Sequence, residues 1–133
     1  MAKRVLLTGG LPSNDPRLIG LMQEARALLL PSVSETFGLV ILEAWAAGTM
    51  ALSSRTSGAS ALIEHGRNGW LFDLEKPKSL HDAVEQTLKN PQSAREMAAR
   101  GAAKVREQYS VNALAGRMKG LYEEVMETKR CVT

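Results

Sequence analysis

The sequence predicts an α/β fold: a parallel sheet of about four short strands with flanking helices and a helical C-terminal region. Three observations predict it. Short apolar runs at residues 5–8, 27–30, 50–53 and 70–72 each end in a polar, glycine- or proline-bearing loop. Helical patterns or helix-start signals lie between them, the alternation of a sheet built with right-handed crossovers. From Ser79 onward strand signals stop, and helix signals follow one another to the C-terminus.

Each element has its own reason. Residues 5–8 (Val-Leu-Leu-Thr) are closed by Gly9-Gly10 and read as a first buried strand. Asp15-Pro16 supplies an N-cap and a proline at the first helical position, opening a helix to about Arg26 with Leu18, Ile19, Met22 and Ala25 on one face. Residues 27–30 form the second strand. A helix follows, eased in by Gly38 and ending near Gly48. Residues 50–53 form the third strand, and Ser57-Gly-Ala-Ser60 is a turn into a short helix through Glu64. Gly66-Arg-Asn-Gly69 turns the chain into the fourth strand, Trp70-Leu-Phe72. Ser79-x-x-Asp82 has the form of a capping box, with Leu80, Val84 and Leu88 inward. Asn90-Pro91 separates that helix from the next, which runs to about Gln108, and Ser110 caps a last helix to about Lys129. With 133 residues and no linker, repeat or low-complexity stretch, residues 1–133 form one domain.

The helix after Gly38 is the most informative segment. Between Phe37 and Ala47 the only ionisable side chain is Glu43. A helix apolar on all sides is expected to be buried, and an ionised group taken out of water costs several kcal/mol unless paired or bound. Two readings follow: a structural carboxylate paired with an amide or an arginine, or a carboxylate held at depth for a ligand's hydroxyls. A strand, a loop and a glycine-eased helix start form an anion-binding arrangement, because free N–H groups and the positive end of the helix dipole face the ligand. Glu35 stands before that helix and Glu43 inside it.

Pro31-Ser-x-x-Glu35-x-Phe-Gly-Leu-x-x-Leu-Glu43-Ala-x-Ala-x-Gly48 resembles the Glu-x7-Glu signature of the retaining family 4, or group 1, glycosyltransferases. The likeness continues through Ser57-Gly58, Leu62-Ile63, Gly66-x-Asn68-Gly69-x-Leu71 and Tyr109-Ser110 to Leu121-Tyr122. Such enzymes set two Rossmann-like domains across a cleft, the GT-B fold, and the second domain binds the nucleotide-sugar donor. This chain resembles the last two-thirds of that second domain, a partial Rossmann-like sheet. The resemblance implies that Glu43 binds ribose hydroxyls and that Glu35 lies near the donor sugar and the reacting centre. Backbone groups of Phe37, Gly38 and Leu39 would meet the diphosphate and sugar, and the Gly9-Gly10 loop would lie near the nucleobase. It implies no metal and no cofactor beyond the nucleotide-diphosphate sugar. The family's strand order, 3-2-1-4-5-6, makes residues 5–8 the third strand and leaves strands 1 and 2 unaccounted for. Residues 5–8 must then pair directly with residues 27–30 or leave a strand edge open.

Departures qualify the match. Gly48-Thr49 is followed by Met50 where the family has proline, and Ser60-Ala61 stands where it has Pro-Glu. The family's pyrophosphate Arg and Lys belong to an earlier unit, for which Lys3 and Arg4 are misplaced. The expected role is donor binding in a sugar transfer that retains anomeric configuration. The alternative is a non-catalytic fragment or association subunit of a split enzyme. Self-association, or a partner supplying an N-terminal domain, is expected in either case.

Composition narrows the remaining classes. The net charge is +3, but basic residues are interspersed with acids along helices, a solvated-face pattern. Aromatic residues make up only 5%, which leaves no stacking platform for bases, so no nucleic-acid partner is expected. Asp73-Leu-Glu75 reads as surface, and His65 and His81 have no Cys or His at metal spacing. Cys131 is the single cysteine, and the basic Met1-Ala-Lys-Arg start is followed by no sustained apolar run. No run reaches the roughly 20 residues of a membrane span. A cytoplasmic location without a transmembrane segment is the expectation.

Overall fold

A computed structural model describes residues 5–12 and 14–130, the last two by backbone only. Lys3, Arg4 and Cys131 lie outside the described residues. In chain order the elements are α1 (Pro16–Glu24), β1 (Ala27–Leu30), α2 (Leu39–Ala46), β2 (Met50–Ser54), α3 (Ser57–Leu62), β3 (Gly69–Phe72), α4 (Pro77–Lys89) and α5 (Pro91–Lys104). A π-helical segment, Val105–Tyr109, then leads into α6 (Val111–Arg130). The α/β class expected from sequence is present, with a parallel sheet in the order β1-β2-β3. Ala27 pairs with Met50 and Leu30 with Ser53, while Ala51 pairs with Gly69 and Ser54 with Phe72.

β2 is the central strand and is buried throughout. Successive strand side chains point to opposite faces, so β2 feeds two cores. Ala51 joins Ile41, Trp45, Ala59, Leu62, Ile63 and Leu71 on the α2–α3 side. Met50 and Leu52 join Phe72, Ala83, Met97 and Ala98 on the α4–α5 side.

The sheet has three strands, not about four. Residues 5–8 form no strand, and Val5, Leu6 and Leu7 are 69%, 78% and 88% exposed. In the expected order two strands separate this run from β1, and without them it has no ladder to join. β1 is consequently an edge strand among the described residues, only half-buried, with Leu29 45% exposed.

Helix ends follow local chemistry. Asp15 caps α1 through its carboxylate, which accepts from the Arg17 amide at 2.8 Å, and Pro16 opens the helix as expected. Ser110 caps α6, its hydroxyl accepting from the Ala113 amide. The expected capping box at Ser79 does not form: α4 starts two residues earlier at Pro77, and the Ser79 hydroxyl accepts from the Asp73 amide at 2.8 Å. A proline at the first helical position suffices to begin the helix, which frees Ser79 to close the preceding turn.

Candidate functional site

The motif occupies the C-terminal end of β1 and the helix that follows, where open α/β sheets bind ligands. Glu35 precedes α2. One of its carboxylate oxygens accepts from the Gly38 amide at 3.2 Å, capping the helix start with a negative charge where the dipole favours one. Gly38 is buried with φ +87°, a left-handed conformation. A Cβ there would lie 3.0 Å from Ile41 Cδ1 and 3.3 Å from Leu62 Cδ1. Glycine is therefore required on both backbone and packing grounds.

α2 is not buried on all sides. Ile41, Ala44 and Trp45 face the core, whereas Leu39, Glu43 and Ala46 recur at helical spacing on an open face. Glu43 is exposed, and among the described residues its carboxylate takes no part in a hydrogen bond or ion pair. The expectation of a carboxylate held at depth is thus corrected, and so is the structural reading that paired it with an amide or arginine. The composition of α2 is apolar on a face the described chain does not cover: Leu39 is 65% exposed and Phe37 48%. Phe37 meets Tyr109 of the π-helical segment edge to face, with ring centroids 6.2 Å apart and planes at 74°.

Glu35, Phe37, Gly38, Leu39 and Glu43 follow one another from the loop into α2, with Leu39 and Glu43 on its open face. Gly9 and Gly10 are both exposed, and a Cβ at either would meet nothing within 4 Å.

One contact is not apparent from the sequence pattern. The Glu35 carbonyl accepts from the Gly58 amide at 2.9 Å and from the Ser57 hydroxyl at 3.3 Å. A Cβ on Gly58 would stand 2.6 Å from the Phe37 nitrogen and 2.7 Å from both the Glu35 oxygen and the Thr36 carbonyl carbon. The first turn of α3 is thus seated directly on the backbone of the motif loop. The only sequence signal was the Ser57-Gly58 pair itself, with no role attached.

Clefts also lie elsewhere. One, of about 410 Å³, opens at the N-terminal ends of β1 and β2 beside Arg26 and Arg95. Another, of about 400 Å³, runs beside β3 near Arg55, Trp70 and Asp73. Neither contains Glu35 or Glu43. Among the described residues, no three His, Cys, Asp or Glu side chains gather as metal ligands, and no helix is long and apolar enough to cross a membrane.

Comparison with known proteins agrees with this architecture. Residues 1–104 match the family model described as glycosyl transferases group 1. D-inositol 3-phosphate glycosyltransferase of Arthrobacter sp. (strain FB24) is 40% identical over 86 residues, covering 65% of this chain and 20% of that protein. N-acetyl-alpha-D-glucosaminyl L-malate synthase of Bacillus anthracis is 31% identical over 123 residues, covering 92% of this chain and 31% of that one. Among solved structures, sucrose-phosphate synthase of Thermosynechococcus elongatus superposes with a TM-score of 0.80 at 27% identity, covering 95% of this chain and 31% of that chain. Anabaena HepE in complex with UDP-glucose shares the fold, with a TM-score of 0.70 at 24% identity over 78% of this chain and 29% of that chain. The chain spans between a fifth and a third of the length of these proteins. Motif, sheet and matched residues agree: the chain belongs to the group 1 glycosyl transferases.

Proposed function

We propose that this chain provides the donor-binding surface of a retaining glycosyltransferase, accepting a nucleoside-diphosphate sugar whose sugar is passed to an acceptor hydroxyl. The observation that carries the reading is the order of groups along α2: the Glu35 carboxylate on the Gly38 amide at the helix start, and an exposed Glu43 farther along the helix. Five residues of helix separate Gly38 from Glu43, a rise of about 7.5 Å, comparable to the reach from a diphosphate to the hydroxyls of its ribose. In this reading Glu43 accepts the ribose hydroxyls, and its exposure leaves it available to do so. Backbone at Phe37, Gly38 and Leu39 faces the diphosphate. Glu35 stands at the sugar end, near the reacting centre. HepE, described in complex with UDP-glucose, supports a uridine nucleotide sugar as the first donor to try.

Titration calorimetry with UDP, UDP-glucose and other nucleotide sugars tests this. A hydrogen bond to a charged group contributes about 1.5–3 kcal/mol, so Glu43→Gln should weaken nucleotide binding roughly tenfold or more. Affinity equal to that of the unmodified chain would remove Glu43 from the ribose site.

A second reading, an association subunit, draws on the surfaces left uncovered. Among the described residues nothing pairs with the outer edge of β1, and unpaired ladder groups recruit another strand. α6 displays Leu114, Met118, Leu121 and Val125, all substantially exposed, along one stripe. Both surfaces fit a partner polypeptide or a second copy that completes the cleft. The two readings are compatible, since sugar transfer sets a donor surface against an acceptor side.

A further inference from the structure

We infer that Ser57 and Gly58 are positioning residues for the motif loop: the first turn of α3 fixes where the Glu35 carboxylate stands over the start of α2. The inference rests on the reading of Glu35 as the sugar-side carboxylate and extends it to two residues that touch no ligand themselves.

The loop from Glu35 to Gly38 is held at both ends. At its far end Gly38 is buried in a left-handed conformation against Ile41 and Leu62. At its near end the Glu35 carbonyl takes two hydrogen bonds from α3, from the Gly58 amide at 2.9 Å and the Ser57 hydroxyl at 3.3 Å. Such bonds also answer a need of α3, whose first-turn amides have no partner within their own helix. Thr56 supplies one side-chain acceptor, for the Ala59 amide, and the Glu35 carbonyl serves as the acceptor for Gly58.

The seat is too close for any side chain. Backbone atoms cannot swing aside as a flexible side chain can. A methyl group 2.6–2.7 Å from Glu35, Thr36 and Phe37 backbone atoms therefore forces the whole loop away from α3. Displacing the loop moves the Glu35 Cα, and its carboxylate then loses the 3.2 Å contact with the Gly38 amide. A shift of about 1 Å in a positioned group is enough to cost a large part of its contribution to a reaction.

The Gly38 amide proton offers a readout that requires no ligand. In the isotope-labelled full chain, its NMR shift reports the hydrogen bond that the Glu35 carboxylate accepts, and Glu35→Ala gives the shift for the absence of that bond. In Gly58→Ala the resonance should move to that position while the thermal transition stays cooperative. In Ser57→Ala it should move part of the way, and in Ser57→Thr, which keeps the hydroxyl, it should stay in place. If Gly58→Ala does not fold, the two Ser57 variants decide. An unchanged Gly38 shift in Ser57→Ala and in any folded Gly58→Ala overturns the inference, because a merely structural seat would lower the melting temperature without moving that resonance. A parallel titration compares UDP-glucose with UDP: the variants should lose the extra affinity contributed by the sugar and keep that of the nucleotide. Failure of the unmodified chain to bind either nucleotide would count against the donor-site proposal alone, with the NMR result still judging the positioning claim.

Discussion

Glu43 sits on the solvent side of α2 without a partner among the described residues, and this changes what its substitution should do. A surface replacement away from any packed feature alters stability by no more than about 0.5 kcal/mol, so Glu43→Gln should melt with the unmodified chain while its nucleotide affinity falls. A lowered melting temperature would reveal a structural role that the geometry does not contain. Glu35 behaves differently, because its carboxylate serves the Gly38 amide. In an enzyme reconstituted with an acceptor-side domain, Glu35→Ala should depress turnover more than nucleotide affinity, and full turnover would sink its assignment to the reacting centre. Gly101 is a purely packing case. A Cβ there would lie 2.4 Å from Trp45 Cδ1, and the indole is locked in place by its N–H, which donates to the Asn68 carbonyl at 3.1 Å. Overpacking of this kind costs about 1–3 kcal/mol. Chemical denaturation of Gly101→Ala should show that loss as a lower midpoint with an unchanged slope.

Between elements, the join of α3 to the end of α5 depends on one lysine. Lys104 donates to the Leu62 carbonyl at 2.8 Å and stands 3.6 Å from a Glu64 carboxylate oxygen. Glu64 also pairs with Arg67, whose hydrogen bond and charge, with a smaller contribution from Lys104, hold the Glu64 carboxyl below its ordinary range. The sign follows from linkage: a depressed folded-state value stabilises the chain above the unfolded-state value, and the gain disappears as pH falls through the folded one. Melting curves of the unmodified chain and Glu64→Gln should therefore differ near neutrality and converge in acid below the carboxylate range. A gap that persists there would mean the contribution is not ionic.

The elements also show which features the sequence could express. The start of α1 was legible because Asp15, Pro16 and the Arg17 amide interact within three residues, and Ser110 was legible for the same local reason. Burial of Glu43 was misjudged because an apolar composition reports what a helix is suited to touch, whereas this chain leaves the Leu39–Glu43 face open. The expected first strand failed similarly: residues 5–8 have a strand's composition and no neighbouring strand to pair with among the described residues. Gly58 and Gly101 were illegible because their constraint comes from backbone or indole atoms far away in sequence. The motif was read in sequence, whereas the open face that carries Leu39 and Glu43 was not.

Across the whole molecule, the proposed reading gives the chain one side of a cleft. Transfer requires donor and acceptor to be held in a single geometry, so the purified 133-residue chain should bind a nucleotide sugar without forming a glycoside at a measurable rate. Sustained glycoside production would contradict this, whereas slow release of free sugar would not, since water reaches an open site. The β1 edge and the α6 stripe should also drive association. Light scattering should show a mass that rises with concentration and falls in a Leu121→Glu variant, and a monomer at all concentrations would count against an association role for α6.

The sheet order β1-β2-β3 is also the chain order. Each strand joins the one that follows it, across residues 31–49 and then 55–68. Neither pairing waits for a remote part of the polypeptide, and contacts between near neighbours in sequence are the ones that form fastest. The three-stranded sheet is thereby able to reach its own structure before the outer edge of β1 meets any partner. In the proposed association, pairing at that edge is an encounter between preformed pieces, with a rate set by how often they meet. In kinetic terms, a first-order folding phase should precede a second phase that accelerates with the concentration of whatever pairs with that edge.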